Sequence, residues 1–129
     1  MSKAFFFGLL LLPATSGAAD PRIRPDLCPG GARGYFADHP VRSVDFSIFL
    51  QPLDDAIETA AAVDDQRFRV RVWRAAVGDL WHVNIEYREL PSAEQLAADS
   101  AALEELAGRM SGEFWPAGCI GFPYRLGQR

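Results

Sequence analysis

Residues 68–90 read FRVRVWRAAVGDLWHVNIEYREL. Phe68, Val70 and Val72 alternate with Arg69 and Arg71, and Arg67 extends the arginine side upstream. Trp81, Val83, Ile85 and Tyr87 alternate in the same way with His82, Asn84, Glu86 and Arg88. A period of two, with β-branched and aromatic residues on one side, describes a strand buried on one face. Val77, Gly78 and Asp79 supply the turn, so 68–75 and 80–90 pair as an antiparallel hairpin. In that pairing the arginines of one strand sit across from Glu86 of the other, an ion pair of about 0.2–1 kcal/mol.

After the hairpin the period changes. Leu96, Leu103, Leu106 and Met110 form an apolar stripe at helical spacing, which predicts a helix over 92–110. Ser92 stands as N-cap with Gln95 three residues on, the pattern of a capping box. Gly112 suits the left-handed residue that stops a helix. Phe114, Trp115 and Ile120 then make a last strand, and Pro116 within it favours a sheet edge. Upstream, Val44, Phe46, Ile48 and Leu50 alternate with Ser43, Asp45 and Ser47 in a strand over 41–50, with Phe49 as the exception. Pro52 opens a helix with Asp54 and Asp55 in its first turn, where carboxylates suit the dipole. Its apolar positions are Leu53, Ile57, Ala60 and Ala61, and it ends near Asp64 and Asp65. The order β-α-β-β-α-β predicts an α+β, ferredoxin-like sandwich: a four-stranded antiparallel sheet with two helices on one face and strands one and three central.

The core domain spans 41–120. Residues 1–19 have a different grammar: Lys3, an apolar run over 5–12, Pro13, then the small residues Gly17, Ala18 and Ala19. This is the pattern of a cleaved secretory signal, and the run is too short to span a bilayer. Residues 20–40 are an extension rich in proline and glycine, with Tyr35 and Phe36 placed to tack it to the core, and 121–129 are a tail. The only two cysteines, Cys28 and Cys119, lie in the exported part, which predicts one disulfide closing a loop of about ninety residues. The expected address is periplasmic or secreted.

Chemistry is sparse. With 13 Lys and Arg against 17 Asp and Glu, the net charge of −4 argues against non-specific nucleic-acid binding. The glycines of 30–34 lack the strand, helix and Gly-Lys-Ser/Thr ending of a phosphate loop. No motif calls for a cofactor or a metal. His82, Asn84 and Glu86 share one strand face, where His82 and Glu86 would be the acid–base pair of a small exported enzyme. No serine sits in a nucleophile elbow. The arginine row Arg67, Arg69, Arg71 and Arg74, with Trp73 breaking the alternation as an exposed aromatic anchor, is the better candidate, a binding surface for a carboxylate-rich protein partner or an anionic polymer, the alternative being solvated charge balanced by Glu86. RNA-binding sheets of this topology need aromatics on the open face, whereas here the aromatics are expected to alternate inward.

Ser43–Gly118 resembles the RraB-like family, regulators of ribonuclease E. The residues that carry the resemblance are Val44 to Phe49 in the first strand, Asp55-Ala56-Ile57 in the helix, and Phe68-Arg69-Val70. Trp81-His82-Val83, the helix over 93–110 and Ser111-Gly112-Glu113-Phe114 complete it. Where such proteins carry a Tyr-Asp-Gly-Trp-like run, this chain has Phe114-Trp115-Pro116-Ala117-Gly118. The resemblance implies a compact ferredoxin-like domain that acts by protein contact and not by catalysis. It carries over no site residues. Because ribonuclease E works in the cytoplasm, an exported member implies the same domain reused in the cell envelope. The rival expectations are the His82–Glu86 enzyme, a structural domain serving a neighbour, and a cytoplasmic ribonuclease E regulator if the N-terminal signal does not function.

Overall fold

A computed structural model describes residues 20–28, 35–76 and 78–121. The signal-like stretch 1–19, the glycine-rich turn 29–34, Val77 and the tail 122–129 lie outside the described residues.

Six elements follow in the expected order: β1 (Val41–Leu50), α1 (Leu53–Ala61), β2 (Phe68–Arg74), β3 (Trp81–Tyr87), α2 (Ala93–Arg109) and β4 (Glu113–Gly121). The strands form one sheet in the order β2-β3-β1-β4, and every pair is antiparallel. β1 and β3 are central, as the crossover rule requires. The period-two pattern orients them: Val44, Phe46, Ile48 and Leu50 of β1 and Val83, Ile85 and Tyr87 of β3 are buried beneath the helices. Phe68 of β2 completes that layer, its ring 4.8 Å from Tyr87.

β4 is the edge strand that carries Pro116, as its sequence implied. Its register against β1 slips between the Asp45–Gly118 and Ser47–Trp115 pairs, so the proline falls in a bulge where no ladder donor is needed. The strand continues to Gly121, one residue into the expected tail.

The two helices bury their faces differently. In α2, Leu103, Leu106 and Ala107 are buried with Leu96 and Met110 alongside, the stripe read from the sequence. In α1, Leu53 and Ile57 are exposed, contrary to expectation, and the buried residues are Ala56 and Thr59. Small side chains on that stripe let the helix lie close to the sheet. The Thr59 hydroxyl satisfies itself by donating to the Asp55 carbonyl at 2.7 Å.

Two local readings are corrected. The left-handed residue after α2 is Ser111, with φ 57°, and not Gly112. Gly112 donates its amide to Ala107 at 2.7 Å, and Ser111 donates to Gly108 at 3.2 Å, the paired bonds of a Schellman stop. Gly112 is needed for room instead: a Cβ there would lie 3.0 Å from Leu50 Cδ2 and 3.1 Å from Ile48 Cγ2. The capping box is half formed. Ser92 Oγ accepts from the Gln95 amide at 3.0 Å, but the Gln95 side chain turns to Asp99.

The extension is pinned to the domain. Leu27 is buried in the core, and Phe36 joins it. The Val41 amide donates to the Arg22 carbonyl at 2.6 Å. Cys28 and Cys119 form the expected disulfide, 91 residues apart in sequence, which ties the extension to β4.

Candidate binding surface

With both helices on one side, the sheet's other face is open, and strand register decides what it shows. Trp73 of β2 lies opposite His82 of β3, and His82 lies opposite Phe49 of β1. Trp115 of β4 is opposite Ser47, two residues along β1 from Phe49 and on the same face. The rings therefore form a row across all four strands. Trp73 and His82 have centroids 4.4 Å apart, His82 and Phe49 4.5 Å, and Phe49 and Trp115 5.5 Å. Trp73 is 41% exposed and Trp115 54%. A groove of about 520 Å³ runs along the row, floored by these rings and walled by Ala75, Ala76, Leu80 and Glu113.

The expectation that the aromatics alternate inward holds for Phe46, Phe68 and Tyr87, Trp73 is exposed as expected, and Phe49 and Trp115 are the departures. Trp73 follows Arg69 and Arg71 on the open face and breaks no alternation. Phe49 belongs to the face of Ser43, Asp45 and Ser47. Each strand contributes a single ring, so no strand taken alone shows the row.

Beside the rings lies a polar network. His82 Nε2 and Ser47 Oγ are 2.8 Å apart, and Asn84 Nδ2 donates to Asp45 Oδ2 at 2.9 Å. Arg71 donates to Glu86 Oε1 at 2.8 Å and Arg69 to the same oxygen at 3.4 Å, the cross-strand ion pair the hairpin implied. Asn84 and Glu86 are buried under this network. Burial lowers the His82 pKa, with the Asp45 charge opposing it, so the imidazole in the row is neutral at neutral pH.

The arginine row divides. Arg69 and Arg71 lie on the open face and are both committed to Glu86. Arg67 precedes β2 and turns the other way, donating to Asp99 of α2 at 2.5 Å. Its guanidinium also lies 4.8 Å over the Phe68 ring. It is therefore a tie between sheet edge and helix, outside the surface that Arg69, Arg71 and Trp73 share. Asp99 accepts as well from the Tyr87 hydroxyl at 2.6 Å and from Gln95 Nε2 at 3.0 Å. Burial alone would push the Asp99 carboxyl up. The hydrogen bonds from Arg67, Tyr87 and Gln95 together outweigh it, and the group ionises below the ordinary carboxylate value. Burial, then the bond to Asp99, raises the Tyr87 phenol.

The His82–Glu86 pair does not come together. Four residues along one strand separate their Cα atoms by about 13 Å, and Glu86 is held by two arginines. His82 does touch a hydroxyl, that of Ser47. Among the described residues, however, no carboxylate hydrogen-bonds the ring to orient it as a general base. Among the described residues no three His, Cys, Asp or Glu side chains gather as a metal site, and no helix is long and apolar enough to cross a membrane.

Comparison with protein-family models and with curated proteins returned no match.

Proposed function

We propose that this chain is a non-catalytic binding domain of RraB-like type, exported to the cell envelope, that acts by holding a protein partner against the open face of its sheet. The aromatic row carries this reading. Two tryptophans with exposed faces, braced by Phe49 and a neutral His82, offer rigid contact area at low entropic cost. The polar network around them is satisfied internally, so it supports the rings and presents no reactive group. The disulfide favours an oxidising compartment, in keeping with the signal-like N-terminus and against the cytoplasmic ribonuclease E of the resembled family.

The test is retention of a partner from envelope extract under non-reducing conditions. Wild-type protein is compared with a Trp73→Ala/Trp115→Ala double variant and with Ser47→Ala. The double variant is expected to lose the retained protein while keeping its circular dichroism, because both indoles lie outside the core. Ser47→Ala is expected to keep it, since it removes only the hydroxyl a hydrolase would need. Equal retention by the double variant would move the binding surface elsewhere.

A further inference from the structure

The groove along the rings has one charged residue among its described lining. Of the eight described residues lining the groove, Glu113 alone carries a formal charge at neutral pH. It stands opposite Phe49 in the ladder. Its Oε2 accepts from the Trp115 indole at 2.9 Å, and among the described residues nothing else hydrogen-bonds the carboxylate. The nearest arginines on this face, Arg69 and Arg71, are engaged by Glu86 and line no part of the groove. An anion entering the groove would meet a carboxylate and the negative faces of the rings, with no donor cation among the described residues of the lining. A positive group would meet both in the attractive sense. The indole N–H held by Glu113 fixes the Trp115 ring, so its face is presented before anything binds.

We propose that the groove receives an organic cation with an apolar stem, the arginine or lysine side chain of a partner polypeptide, laid along the row from Trp73 toward Trp115 with its charge toward Glu113. This deepens the binding reading above and rests on it. The stem would cover Ala75, Ala76 and Leu80 beside Trp73, and the head would gain cation–π contact with the Trp115 indole and the carboxylate's charge. Nucleic acid is a poor match, since its phosphates would face Glu113. A neutral sugar would also stack on the rings and donate a hydroxyl to Glu113, so a chito-oligosaccharide serves as a competing probe.

The three indole N–H signals of the disulfide-bonded protein report on the site, because Trp81 packs against the core and serves as an internal reference. The probe is a blocked peptide of alternating glycine and arginine, and the control is the same peptide with citrulline, equal in shape and uncharged. The arginine peptide is expected to shift the Trp73 and Trp115 signals saturably and leave Trp81 in place. Affinity is expected to fall about fivefold with citrulline, and about as far in the Glu113→Gln variant. Equal affinity for citrulline, no effect of Glu113→Gln, or shifts produced by a chito-oligosaccharide or an oligonucleotide and not by the arginine peptide would each overturn the assignment. None of these outcomes bears on whether the double tryptophan variant loses its envelope partner, so the broader reading stands or falls separately.

Discussion

Asp99 sits where α2 calls for a leucine. Counting from Leu96 through Leu103, Leu106 and Met110, it falls in the apolar period, and it is buried there. A carboxylate in that position needs partners, and three side chains supply them: Arg67 from the sheet edge, Tyr87 from the end of β3, and Gln95 one turn back. The folded value being depressed, the stabilisation is fully present above the unfolded-state pKa of about 3.9 and is lost as pH falls through the folded value. Between pH 5 and 7 this group should contribute no slope. Asp99→Asn is expected to cost about 1–2 kcal/mol at neutral pH, the low end for charge-assisted bonds because water screens the exposed Arg67. The variant should also flatten the acid limb of stability below about pH 4, as measured by urea unfolding across pH. A parallel acid limb in the variant would mean that other carboxylates govern it. The apolar stripe was legible in the sequence, but Asp99 within it was not singled out. Its partners were not legible, because Arg67 reads as one more member of an alternating arginine row, and only the tertiary fold brings it against α2.

At the scale of elements, the strands were readable because each is half buried and its pattern repeats every two residues. The surface they build was not, because it is assembled by register from one ring per strand. Phe49 was visible only as a break in alternation, and Trp115 only as a neighbour of Pro116. The join between α2 and β4 shows a similar limit. Sequence gives a serine followed by a glycine and favours glycine for the left-handed stop, whereas the chain uses Ser111 there because Gly112 must pass close to Ile48 and Leu50. The two positions should therefore respond in opposite ways. Ser111→Gly removes the strain of a side chain at φ 57° and is expected to stabilise by about 0.5–1 kcal/mol, net of glycine's greater freedom when unfolded. Gly112→Ala drives a methyl group into two core side chains with almost no exposure and is expected to destabilise by about 1–3 kcal/mol. Denaturant midpoints at constant slope would check both. Had Gly112 been the left-handed residue, the Ser111→Gly gain would be absent.

At the scale of the whole molecule, the segment before β1 is part of the domain. Leu27 is as well buried as the residues of β1, the Val41 amide is bonded back to Arg22, and Cys28 is joined to the bulged edge strand. An edge strand that carries a proline has a weakened ladder on its only paired side. The covalent tie acts where the sheet is least able to hold itself. Cross-linking residues 91 apart restricts the unfolded chain, and the chain-entropy model puts the ceiling of that effect near about 4.6 kcal/mol. A Cys28→Ser/Cys119→Ser variant is accordingly expected to lose several kcal/mol, with a steeper dependence on urea because its unfolded chain opens further. The loss should be uneven across the fold. β1 and β3 are flanked by strands on both sides, so their amides should exchange only through global unfolding. Those of β4 should exchange through local opening once the extension is freed. Because β4 carries Trp115 and Glu113, the same variant should weaken the groove before it unfolds the protein. Exchange of β4 and β1 amides at equal rates in the variant would show instead that Leu27 and the Arg22–Val41 bond pin the extension without the disulfide.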